Sequence, residues 1–179
     1  MDTSNESEIR INDKSVKALN FIKNIHPRAI ALDHITWVSE DQSIGNLRTM
    51  TGQYLEYLPE GAGRTFKDAA GFYLSDETAA YDICRKYNIE LVIIRKQLLM
   101  LTQLNVLFAD PELKSDDYFI VSRKSPGSST VDITFNPRGQ NTMLFKMLRS
   151  QQLNKFQLVY EDKSPNTALA DIVVYKPTP

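Results

Sequence analysis

The chain has 179 residues, 42% hydrophobic and 24% charged, with a formal net charge of −1. That length suits one domain, whose core can bury roughly 70% of the surface an unfolded chain exposes. The near-zero charge excludes a general electrostatic binder of nucleic acid or of anionic membranes, and the single cysteine, Cys84, excludes an internal disulfide and a cysteine-rich metal site.

Residues 1–12 are polar and acidic, and a disordered start is expected there. They lack the basic opening and apolar middle of a signal peptide. Asn5-Glu6-Ser7 matches the N-glycosylation acceptor pattern, a tripeptide common by chance. From Asp13 a helix is expected, with Val16, Leu19, Phe21, Ile22 and Ile25 as its apolar stripe. Pro27 stops it, and Ala29–Leu32 reads as a short buried strand. Residues 33–53 are polar and read as irregular; they hold the only Trp and one of the two His. Residues 54–64, with Pro59, Gly61 and Gly63, read as a loop, and 65–74 as a short helix through Phe66, Ala69, Ala70 and Tyr73.

The strongest signal lies in residues 75–94, SDETAAYDICRKYNIELVII. Ser75 is the expected N-cap, with Asp76 and Glu77 in the first turn where the helix dipole favours negative charge. Ala80, Ile83, Cys84 and Tyr87 share one face, Arg85 and Lys86 suit the last turn, and Asn88 can leave the helix left-handed. Ile89 and Leu91–Ile94 then form a near-continuous apolar run, the mark of a strand covered on both faces. This unit repeats the order helix, turn, strand of residues 13–32, which favours parallel neighbours in one sheet.

Lys96–Ala109 reads as a helix that is apolar almost all round, ended by Asp110-Pro111. Tyr118–Ser122 and Val131–Phe135 read as strands flanking a Ser125-Pro126-Gly127 turn, and 141–151 as a helix capped by Asn141 with Met143, Leu144, Met147 and Leu148 on one face. Phe156, Leu158 and Tyr160 alternate as a strand, Ser164-Pro165-Asn166 turns the chain, and Ile172–Tyr175 is the last strand. The pattern predicts an α/β fold: a layered mixed sheet with helices packed on it, in a single globular domain over residues 13–176.

Few residues point to chemistry. Gly61 and Gly63 lack the third glycine and the strand-to-helix setting of a phosphate loop. His26 and His34 lack metal spacing, and neither serves a Gly-x-Ser-x-Gly elbow. His34, Glu40 and Asp41 share a loop and could hold a cation weakly, although solvated loop residues are the more economical reading. Asp110, Glu112, Asp116 and Asp117 with Lys114 read the same way. Trp37 is a hydrophobic plug or an exposed recognition residue, with the plug favoured.

In order along the chain, several stretches resemble the C-terminal globular domain of the catalytic subunit of membrane oligosaccharyltransferases, of archaeal type and divergent. They are GNLRT at Gly45–Thr49, GFYLSDETAAYDICRKYNIELVII at Gly71–Ile94, NTMLFKML at Asn141–Leu148, and FQLVYED followed by DIVVYK. The resemblance covers about residues 27–176. It implies a domain outside the membrane that helps hold the Ser or Thr of an acceptor sequon. The metal and most catalytic acids would lie in a transmembrane part of the parent. No catalytic residue, metal ligand or cofactor is then expected in this chain, and the divalent metal and lipid-linked sugar would belong to the parent. The partners would be that transmembrane part and an acceptor polypeptide, with no nucleic acid.

The family's Trp-Trp-Asp-Tyr-Gly motif falls on Ile35-Thr36-Trp37-Val38-Ser39, where only a tryptophan survives. Thr36, Trp37 and Arg48 are the candidate acceptor-binding residues on this resemblance. Asp110 and Lys114, four apart rather than three, are the candidates for its second motif. The expected location is the extracytoplasmic face of the cell membrane. An independent cytoplasmic binding module without a glycosylation role is the alternative, favoured by the polar start and by the lack of any apolar run near the ~18 residues a membrane span needs. A small metal-dependent enzyme built on His34, Glu40 and Asp41 is a third reading.

Overall fold

The structure, a computed structural model, describes residues 13–34, 38–50, 62–100, 114–123, 131–165 and 167–179. The expectations for residues 1–12, 51–61 and 101–113 and for the Ser125-Pro126-Gly127 turn lie outside the described residues.

Helix α1 (Asp13–Ile25) leads through a turn at Pro27 into strand β1 (Ile30–Leu32). Two short elements follow, α2 (Val38–Ser43) and β2 (Arg48–Thr49). Helices α3 (Ala62–Leu74) and α4 (Glu77–Tyr87) then precede strand β3 (Leu91–Arg95), which runs into a 3-10 turn at Lys96–Met100. After a 3-10 turn at Ser115–Asp117 come β4 (Phe119–Arg123), β5 (Val131–Phe135), α5 (Pro137–Gln140), α6 (Met143–Leu148), β6 (Phe156–Asp162) and β7 (Ile172–Pro177).

The main sheet has the order β2-β1-β3-β7-β6, with β2, β1 and β3 parallel and β7 and β6 antiparallel. Strands β4 and β5 pair antiparallel in a separate ribbon. The mixed α/β expectation holds, and the two helix–strand units do supply parallel neighbours. Strand β3 is the middle of five, and all five of its residues are buried. Its alternation divides the core. Leu91 and Ile93 pack with Ala18, Leu19 and Ile22 of α1. Val92 and Ile94 pack with Phe72 and Tyr73 of α3, Cys84 of α4 and Met143, Leu144, Met147 and Leu148 of α6. A strand with helices on both faces must be apolar on both faces, which is the origin of the unbroken Leu-Val-Ile-Ile run. Phe21 and Ile25, expected in the α1 stripe, are partly exposed at 39% and 42%.

Four local expectations shift. Residues 33–53 are not wholly irregular, since they carry α2 and β2. Arg64, expected in a loop, lies within α3. The helix expected over 141–151 is shorter, α6 at Met143–Leu148, and a separate short helix, α5, precedes it. Asn136 caps α5 by accepting the Gly139 N–H at 2.8 Å, and Thr142, not Asn141, caps α6 by accepting the Phe145 N–H at 3.3 Å. The cap of α4 is Asp76 rather than Ser75. Asp76 has an extended backbone, and its Oδ1 accepts from the N–H groups of Thr78 and Ala79 at 2.9 and 3.0 Å. Asn88 closes the same helix in the left-handed region, as expected, at φ 52°. Replacing Asp76 by Ala strips two first-turn N–H groups of their acceptor, so Asp76→Ala is expected to cost about 1 kcal/mol. A denaturant midpoint equal to that of the parent chain would show the cap to be idle.

Candidate functional site

The parallel strands β1 and β3 end on the same side of the sheet. Each apolar run finishes in a charge: Asp33 follows β1, and Arg95 is the last residue of β3. That juncture is where ligand sites gather in α/β sheets. Here it holds a buried ion cluster.

Arg95 is 1% exposed, and each nitrogen of its guanidinium meets a different carboxylate. Nε donates to Asp33 Oδ2 at 2.8 Å, Nη1 to Glu40 Oε2 at 2.9 Å and Nη2 to Asp41 Oδ1 at 2.6 Å. Asp33 Oδ1 also accepts the backbone N–H of His34 at 2.6 Å. Asp33 and Asp41 are wholly buried, and Glu40 reaches the surface. A planar fork with its donors on three separate nitrogens can serve three acids that stay apart, whereas the donors of an ammonium group all sit on one nitrogen. The result ties the exit of β1 and both acids of α2 to the central strand.

The electrostatics follow from that burial. Desolvation raises the carboxyls of Asp33 and Asp41 above the ordinary range, Asp41 the more strongly, because Asp33 repels it as well. Burial opposes the charge on Arg95, but Asp33, Asp41 and Glu40 hold its guanidinium above its ordinary value. Burial pushes His34 down to about 4, so its imidazole is neutral at pH 7. The view of His34, Glu40 and Asp41 as solvated loop residues is therefore overturned for His34 and Asp41. Arg95 is the cation that Glu40 and Asp41 hold. Among the described residues no group of three His, Cys, Asp or Glu side chains is arranged to hold a metal ion. The buried thiol of Cys84 is pushed up to about 12, which leaves it without thiolate character at neutral pH.

The other candidates are dispersed. Thr36, Trp37 and Asp110 lie outside the described residues. Arg48 opens β2 opposite Ile30, about 10 Å along the sheet from Asp33, and its Nε donates to the Arg28 carbonyl at 3.1 Å. Lys114 is exposed, and its carbonyl accepts the Asp117 N–H. Residue-by-residue reasoning missed Arg95 and Asp33. Their signal was a charge closing the apolar run of each of two strands expected to be parallel.

These features define a layered α/β domain in which a buried ion cluster ties the end of the first strand and both acids of α2 to the central strand. No helix among the described residues is long and apolar enough to cross a membrane. No protein-family model matches the sequence, and no curated protein matches it. The fold is that of the C-terminal globular domain of oligosaccharyltransferases. That domain of AfAglB-S2 from Archaeoglobus fulgidus is similar at a TM-score of 0.57 and 14% identity, over 93% of this chain and 96% of that one. The C. jejuni PglB C-terminal domain is similar at 0.57 and 12%, over 92% and 100%. A second A. fulgidus oligosaccharyltransferase, tethered by a disulfide to an acceptor peptide containing the NVT sequon, is similar at 0.62 and 12%. There the likeness covers 87% of this chain but 24% of the other, so this chain spans about a quarter of that enzyme.

Proposed function

We propose that this chain serves as the extracytoplasmic globular domain of an oligosaccharyltransferase-like glycosyltransferase, helping to recognise the acceptor rather than to make the bond. The observation that carries this reading is the extent of the likeness, which takes in nearly all of this chain and nearly all of two isolated domains of that kind. The reaction of the whole enzyme would be transfer of an oligosaccharide from a lipid carrier to an acceptor asparagine. Its divalent metal and lipid-linked sugar would be held by a transmembrane part, the main partner of this domain. The acceptor would lie against Thr36 and Trp37, with Arg48 as a further candidate and Asp110 and Lys114 as the second motif. Arg95 supports this reading by bracing both flanks of residues 35–37: Asp33 on one side, Glu40 and Asp41 on the other.

The test is an amide NMR titration with an Asn-x-Thr peptide at millimolar concentration, beside a control in which Thr is Ala. Shifts in residues 33–49 and around residues 110–114, seen with the Thr peptide alone, are expected. A spectrum indifferent to both peptides, or equally moved by both, would remove the acceptor role.

A further inference from the structure

Charge counting around Arg95 does not close. One guanidinium faces three carboxyls, and two of these, Asp33 and Asp41, are out of contact with water. Both oxygens of Asp33 are served by N–H donors, from His34 and from Arg95. Asp41 differs. Its Oδ1 accepts from Arg95, while its buried Oδ2 meets no N–H or hydroxyl donor among the described residues, and the acid held beside it on the same guanidinium is Asp33. Two carboxyls hydrogen-bond to one another only when one carries a proton. An unpaired second anion at this depth would cost far more than taking up a proton from solvent.

We propose that Asp33 and Asp41 share one proton at neutral pH, carried on Oδ2 of Asp41 and donated to Asp33, and that this proton latches the exit of β1 to α2. The other groups facing the pair cannot supply it. Arg95 keeps its own protons, because the acids around it hold the guanidinium above its ordinary value, and its bonds go to Asp33, Glu40 and Asp41 Oδ1. Glu40 points to the rim, His34 is neutral, and Tyr73 from α3 has its hydroxyl raised well above the usual range by burial and by Asp33 and Asp41. The inference stands whether or not the domain meets an acceptor.

The latch has a pH signature of definite sign. A carboxyl raised by folding contributes stability that is complete below its ordinary value, and that is lost as pH rises through its folded value. His34, lowered by burial, works in the opposite sense: its contribution is complete above 6.5 and fades toward about 4. A comparison of two chains that both keep His34 cancels that term. In Asp41→Asn the amide oxygen still accepts from Arg95, and the amide N–H₂ donates to Asp33 without titrating. The expected result is a folded variant whose thermal midpoint gains on the unsubstituted chain as pH rises from about 5 to about 9. Asp33→Asn should instead lower the midpoint throughout, because its N–H₂ would face the donors of Arg95 or His34. In the unsubstituted chain the Asp41 carboxyl carbon should resonate as a neutral acid at pH 7. An ionised Asp41 signal at pH 7, an Asp41→Asn chain that does not fold, or a midpoint difference that stays flat or shrinks with rising pH would each overturn the proposal.

Discussion

Arg95→Leu is expected to lose about 3–5 kcal/mol of stability at neutral pH, a large part of what a domain possesses. Leucine keeps the strand apolar and fills some of the space, so packing is not the main loss. The loss is electrostatic. Asp33 remains a buried anion without its cation, Asp41 loses the donor on its Oδ1, and Glu40 loses its reason to turn inward. The acids would respond by taking up protons. The deficit should therefore narrow as pH falls from about 7 to about 5, because protonation removes the unpaired charge. Arg95→Lys should fall between the two chains, since a single ammonium cannot span three separated carboxylates. Urea unfolding at the two pH values checks all of this. If the leucine chain unfolds at the parent midpoint, or if its deficit widens on acidification, the cluster does not brace the fold as described.

The same cluster marks where sequence reasoning reached its limit. Helix α4 and strand β3 were legible because their signals are local: an acidic first turn, an apolar face at helical spacing, Asn88 at the end, and a run that only a doubly covered strand would carry. The parallel pairing of β1 with β3 followed from the repeated helix–strand order. Helix α2 could not be read in this way. It has six residues, VSEDQS, with no apolar stripe, and its anchor is Arg95, 54 residues after Asp41. Strand β2 is two residues long and exists because β1 offers it an edge. The one-residue shift of the α4 cap reflects competition among Ser75, Asp76 and Glu77, which only backbone geometry resolves. Of the ion cluster, the acids beyond β1 were visible in the sequence as charges after an apolar run. What braces them was not, because a contact between distant charges leaves no periodic trace.

Gly139→Ala is expected to cost about 3 kcal/mol or more, through a collision that no rotamer can relieve. Helix α5 is pressed against the chain entering β4. A Cβ at position 139 would stand 2.0 Å from the Tyr118 carbonyl oxygen, 2.8 Å from its carbon and 3.0 Å from Phe135 Cδ1. Two of these three atoms are backbone, so the helix and the strand must separate. Yet this corner is bonded too closely to part freely. The Tyr118 carbonyl accepts the Asn136 N–H at 3.0 Å, Asn136 Nδ2 donates to the Asp117 carbonyl at 2.9 Å, and the Arg138 guanidinium lies 4.6 Å from the Tyr118 ring centre. Moving α5 outward breaks these together and loosens Phe135, which packs its ring 4.8 Å from Phe145 of α6. For a chain of this size the penalty corresponds to a fall of about 6–12 °C in thermal midpoint. Hydrogen exchange should locate it: amides of β4, β5 and α5 lose protection first, while those of β3 and β7 keep theirs, because these two strands lie inside the five-stranded sheet and pack on α1 through their other face. An alanine chain with an unchanged midpoint would mean that the corner yields freely, and that the β4–β5 ribbon is held to the domain by something other than this contact.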